Sequence, residues 1–224
     1  MLVNTEAYKT IIDSLALSNT TLVAVSKTKP NEAILELYEL GQRDFGENYV
    51  QELVDKQAAL PKDIRWHFIG HLQSNKIKYI APFVHLIHGV DSLKLLIEIN
   101  KQAAKQNNII HCLLQVHIAQ EETKFGFNEL ELSELFDSDI AGLQHIVIAG
   151  LMGMASFTEN TAINRQEFKT LKALYDQYAV HQTSNIQFTT LSMGMSADYI
   201  LAIEEGSNMV RVGSLLFGKR DGSA

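Results

Sequence analysis

A lysine at the end of an apolar run is an amine placed where burial can act on it. In "LVAVSKTKP" (22–30), period-2 alternation puts Val23, Val25 and Lys27 on one face and Leu22, Ala24 and Ser26 on the other. A lysine whose pKa is depressed by burial or by a neighbouring cation is a Schiff-base nucleophile, and Lys29 and Arg211 are candidates for that cation. The plainer alternatives are that Lys27 snorkels to solvent or pairs with a carboxylate. "SMGMSADY" (192–199) places Ser192, Gly194 and Ser196 at an expected strand-to-helix turn. Backbone N–H groups and serine hydroxyls at such a turn bind phosphate, and a glycine allows close approach. The competing reading makes Ser196 the N-cap of a helix over 196–206. "NMVRVGSLLFG" (208–218) interrupts an apolar strand with Arg211 and follows it with Gly213 and Ser214. Arg211 either faces a ligand or pairs with a carboxylate such as Asp44, Glu47 or Asp91.

Two further polar clusters follow apolar runs. "RDFGENYVQE" (43–52) offers Glu47, Asn48 and Tyr49; "WHFIGHLQSNK" (66–76) offers His71, Gln73, Ser74, Asn75 and Lys76. His67 and His71 are four apart, a metal-binding spacing on a helix, but here the pair spans a strand and a loop without a third ligand. No metal site is expected. Lys124 in "EETKFGF" (121–127) is either a second amine or a solvated loop residue.

These residues need elements to position them. Strands are expected over 21–27, 44–48, 65–70, 84–91, 111–118, 145–155, 188–194 and 208–214. Helices are expected over 31–41 from a capping Asn31, and over 92–106, 164–178 and 196–208, with one more, 4–18, ahead of the first strand. Eight such repeats suit a single (β/α)8 barrel over 1–224, with an open doubly wound sheet as the alternative. In barrels the chemistry lies at the C-terminal strand ends, with phosphate bound after strands seven and eight, where "SMGMS" and "RVGS" stand.

Composition narrows the class. The 224 residues are 46% hydrophobic with a formal net charge of −7, which argues against a nucleic-acid binder. One cysteine, Cys112, excludes an intrachain disulfide. Neither a secretory signal nor a bilayer-spanning run is seen, so a cytoplasmic protein is expected.

"AVSKTKP", "DFGENYVQE", "WHFIGHLQSNK", "LSMGMSADY" and "VRVGSLLFG" closely resemble the pyridoxal phosphate homeostasis protein family, also called the proline synthase co-transcribed family. The resemblance runs from about residue 20 to the end. It implies a barrel like the N-terminal domain of alanine racemase, with pyridoxal 5′-phosphate (PLP) bound as an internal aldimine. By the same resemblance Lys27 carries the cofactor, Ser192, Ser196, Gly213 and Ser214 hold its phosphate, Arg211 faces the pyridine nitrogen, and Asn48 lies near the ring. The implied role is a PLP carrier in vitamin B6 homeostasis and amino-acid balance, without turnover. Its partners would be PLP, other B6 vitamers and PLP-requiring apo-enzymes. A racemase-like enzyme is the alternative, with Tyr49 or His71 as second acid/base, but the chain stops after the eighth strand, which leaves no room for a racemase's second domain. A monomer is expected. A PLP-free Schiff-base lyase acting on a sugar phosphate is a third reading.

Overall fold

A computed structural model describes residues 2–120 and 125–218. Lys124 lies outside the described residues. Eight parallel strands pair in sequence order and close on themselves: β1 (Thr21–Val25), β2 (Asp44–Glu47), β3 (Arg65–Phe68), β4 (Leu86–Val90), β5 (Ile110–Gln115), β6 (Ile146–Met152), β7 (Ile186–Met195) and β8 (Met209–Val212). The closing pair aligns Thr21 with Met209 and Val23 with Arg211. The expected closed barrel is therefore the fold, and the open sheet is not.

Alternation in β1 decides what faces where. Val23 packs inside the barrel with Leu86, Leu113, Ala149, Met152 and Met209. Leu22 and Ala24 point outward into the larger core shared with the helices, beside Phe45, Trp66 and Ile87. Burying each such large side chain contributes about 1.5–3 kcal/mol. The interior is tight at β2: a Cβ on Gly46 would stand 2.9 Å from Val23 Cγ1.

The helices are α1 (Thr5–Ala16), α2 (Asn31–Glu39), α3 (Val50–Ala59), α4 (Ile77–Ile80), α5 (Leu93–Lys105), α6 (Glu129–Asp137), α7 (Thr161–Tyr178), α8 (Tyr199–Glu204) and α9 (Ser214–Phe217). In α5, Leu95, Leu96, Ile99 and Ala103 form the buried stripe, and Ser92 caps the start by accepting from the Leu95 N–H. Several expectations shift. Asn31 is the first residue of α2, whose N-cap is Pro30 without a side-chain hydrogen bond. Ser196 does not cap α8, because β7 runs on to Met195 and Asp198 precedes the helix. The α3, α4, α6 and α9 helices were not expected.

Candidate functional site

β1 stops at Val25, so half-buried Lys27 stands on a short turn beyond the strand. That turn is tied on both flanks. Ser26 is fully buried; its Oγ donates to Glu47 Oε1 at 2.6 Å and its carbonyl accepts from Lys56 Nζ at 2.8 Å. Thr28 sits at φ 62°, a left-handed conformation that costs a β-branched residue, and its N–H donates to Glu52 Oε1 at 2.6 Å. Lys29, a candidate cation for Lys27, donates its Nζ to the Phe217 carbonyl at the end of α9, 2.8 Å away. Lys56 Nζ also bonds Glu47 Oε1 at 2.8 Å and Glu52 Oε1 at 2.6 Å. Burial pushes the Glu47 carboxyl up, and the Lys56 ammonium holds back only part of that shift.

Arg211 lies inside the barrel, 4% exposed. It pairs with none of the three expected carboxylates. Its Nη1 donates to Ser192 Oγ at 2.6 Å and its Nη2 to the Gly153 carbonyl at 3.0 Å. Burial pulls its pKa down to about 10, with Asp198 pulling the other way. Ser192 Oγ also meets His88 Nδ1 at 3.1 Å; His88 Nε2 lies 2.9 Å from His67 Nδ1, and His67 Nε2 lies 3.0 Å from Asp44 Oδ1. Arg65 grips Asp44 at the base of the barrel with Nε and Nη2, at 2.7 and 2.5 Å.

Burial alone would push Asp44 up, but hydrogen bonds from Arg65 and His67 outweigh it and bring the pKa down to about 2. Asp44 therefore contributes stability, of the order of 2 kcal/mol, that is complete above its unfolded value of 3.8 and lost as pH falls towards 2. In acid-unfolding curves Asp44→Ala is expected to flatten that limb; an unchanged slope between pH 4 and 2 would contradict the assignment.

The expected phosphate residues divide into two groups. Ser196 Oγ accepts from the Gly213 N–H at 3.2 Å, so the turns after β7 and β8 meet, with Ser214 exposed beside them. Ser192 is not with them. A register shift between Ser192 and Met195 extends β7, and the Ser192 side chain turns into the barrel. Gly194 departs too: it has φ 93°, and a Cβ there would stand 2.5 Å from the Ala202 Cβ of α8. Its missing side chain lets α8 pack close.

Asn48, Tyr49, Gln73 and Lys76 line a groove of about 610 Å³ with Phe68 at its base. Asn48 Oδ1 is buried and has no hydrogen-bond partner among the described residues. His71 contacts Asp91 at 3.3 Å and stacks on Phe125 at 4.6 Å. Asp44, His67 and His85 bring ligand atoms within 4.8 Å of one another. Arg65 already holds both Asp44 oxygens, so Asp44 is committed to an ion pair and a hydrogen bond from His67. His88, Lys56 and Glu52 were missed as site residues. For His88 the signal was available: like Arg211, it interrupts an apolar strand, "LIHGV".

The profile of the family described as "Alanine racemase, N-terminal domain" matches residues 4–221. The pyridoxal phosphate homeostasis protein of Aquifex aeolicus is 43% identical over 200 residues, covering 89% of this chain and 86% of its own. The chain belongs to the pyridoxal phosphate homeostasis protein family. The Escherichia coli K12 member of this family is 40% identical over 205 residues, covering 90% of this chain and 86% of its own. PipY of Synechococcus elongatus PCC7942, solved with PLP bound, superposes with a TM-score of 0.85 at 36% identity, covering 95% of this chain and 99% of its own. Alanine racemase from Bartonella henselae, at 17% identity and TM-score 0.71, shares the fold; the match covers 98% of this chain and 62% of the racemase. The homeostasis family thus accounts for nearly the whole described barrel.

Proposed function

We propose that this chain holds PLP as a Schiff base on Lys27 and serves intracellular vitamin B6 homeostasis and amino-acid balance as a carrier without turnover. The observation that carries this is the pairing of an amine and a buried guanidinium on the two strands that close the barrel, Lys27 beyond β1 and Arg211 within β8. The residues fit the group. The amine condenses with an aldehyde; Ser196, Gly213 and Ser214 cluster where a phosphate would be held; Asn48 brings a polar atom that has no protein partner. Bound PLP supplies an electron sink, whose strength depends on the ring nitrogen. Arg211 donates and keeps its proton, so a ring nitrogen facing it stays unprotonated and the sink stays weak. That favours holding over turnover.

The finer reading is one domain over 1–224, acting as a monomer in the cytoplasm, where a free buried Cys112 suits a reducing compartment. It binds PLP and other B6 vitamers and gives PLP to PLP-requiring apo-enzymes. The test is a transfer assay. Loaded protein is mixed with an apo-enzyme while free PLP is trapped, and α-deuterium loss from a panel of amino acids is followed in parallel. Activation of the apo-enzyme despite the trap, without deuterium loss, is expected. Deuterium loss at catalytic rates would instead establish the racemase-like reading.

A further inference from the structure

The bonds between Asp44 and Arg211 can be ordered in only one way that satisfies every atom. A guanidinium only donates, so Ser192 Oγ accepts from Arg211. A carboxylate only accepts, so the His67 Nε2 facing Asp44 carries a proton. Between His67 Nδ1 and His88 Nε2 one atom donates and the other accepts. If His88 Nε2 donates, His88 Nδ1 is bare and receives the Ser192 hydroxyl proton, and both rings are neutral. If His67 donates instead, it is a cation, His88 must donate to Ser192 Oγ, and the Ser192 proton loses its acceptor among the described residues. A buried hydroxyl left unsatisfied costs about 1–3 kcal/mol. The neutral order therefore prevails. Burial, with the charge of Arg211, also keeps His88 well below the usual histidine value.

We propose that Asp44, His67, His88 and Ser192 form a one-directional hydrogen-bond relay that positions Arg211 for the cofactor's ring nitrogen. His67 and His88 are then positioning residues of the site. The proposal rests on the PLP reading above, yet the relay itself is testable without PLP. It holds two guanidinium groups apart: Arg65 anchors its acceptor end at the barrel base, and Arg211 its donor end. The Ser192 oxygen and the Gly153 carbonyl engage one nitrogen each of Arg211, which restrains the rotation of the guanidinium plane. The groups facing the two rings are Asp44 from β2, His85 beside β4, Ser192 from β7 and Arg211 from β8; Arg65 from β3 lies behind Asp44, and Arg65 and His111 from β5 act on His85. Burial pulls His85 down to about 4, so it adds no cation near neutrality.

The test begins with nitrogen-15 spectra of the imidazoles in the intact, cofactor-free protein. Both rings are expected to carry their proton on Nε2, and His88 should stay neutral near neutral pH. His67→Gln keeps an acceptor for His88 and a donor for Asp44; His67→Leu removes both. His88 is expected to keep its Nε2 proton in the Gln variant and to redistribute it in the Leu variant. PLP affinity should fall roughly tenfold in the Leu variant and stay within about threefold in the Gln variant, the difference one hydrogen bond makes. A wild-type His88 protonated on Nδ1, a His88 ring charged near neutral pH, or equal losses in the two variants would overturn the relay and leave the PLP reading intact. The expected tautomers in a protein that never takes up PLP would remove the PLP reading, and Arg211's positioning role with it, while the bond order stands.

Discussion

Lys27→Ala is expected to lose all borohydride-fixable PLP and the yellow colour of the loaded protein, while folding normally. Lys27 stands beyond β1 and half-buried, outside both apolar clusters, so removing its side chain opens no core cavity. The turn that carries it is held by Ser26, Thr28 and Lys29 through bonds to Glu47, Lys56, Glu52 and Phe217, and these survive the substitution. What goes is the amine. Arg211 and the Ser196–Gly213 cluster remain for non-covalent contact, so affinity should drop by about two to three orders of magnitude, some 3–4 kcal/mol. The measurement is reduction with borohydride followed by peptide mapping, with equilibrium PLP titration alongside. Stoichiometric label on a different lysine in the variant would show that the amine has been misassigned. Unchanged thermal unfolding is needed for the comparison to count.

Lys56→Met should cost stability and cofactor together. Lys56 and Glu47 have side chains only 6% and 0% exposed. The ammonium donates to Ser26 O, Glu47 Oε1 and Glu52 Oε1, which uses all three of its protons. Without it Glu47 keeps a single donor, the Ser26 hydroxyl, and its Oε2 already has no partner. Stranding a buried charge costs about 3–5 kcal/mol, which for a chain of this size lowers Tm by roughly 10 °C. Because burial has raised Glu47 in the folded state, the folded protein keeps a proton that the unfolded chain releases. Stability then falls as pH rises from the unfolded value through the folded one, so the deficit of the variant should shrink in acid. Adding Glu47→Leu should restore most of the loss, since a buried pair replaced by apolar side chains is often neutral. If the single variant unfolds at the wild-type temperature, or the double variant is worse, the ion pair is not what fastens the Lys27 turn.

The barrel was legible because apolar runs alternate with stripes of apolar residues at helical spacing, as in Leu95, Leu96, Ile99 and Ala103. Lys27 and Arg211 were legible because each places a cation in or beside an apolar strand. The α3 helix was hidden by its own site role: one of its buried positions is Lys56, so the apolar stripe is broken where the chemistry is. Asn48 and Tyr49 drew the eye as a polar cluster instead. The path from Asp44 to Arg211 could not be read from one dimension. His67 meets Asp44 across 23 residues, His88 meets Ser192 across 104, and only barrel closure and register bring them together. Ser192 and Gly194 lie within β7 and not in the expected turn for a related reason, since the irregular register at the end of β7 carries the strand past it.

The amine and the guanidinium hang from the strands that zip the barrel shut, β1 against β8. A ribosome finishes β1 early and β8 last, so the two halves of the site first coexist when the final strand docks. On the proposed placement, loading the vitamin would report completed synthesis of the barrel. If both groups hold the vitamin as proposed, amide exchange along residues 21–24 should slow when it is aboard.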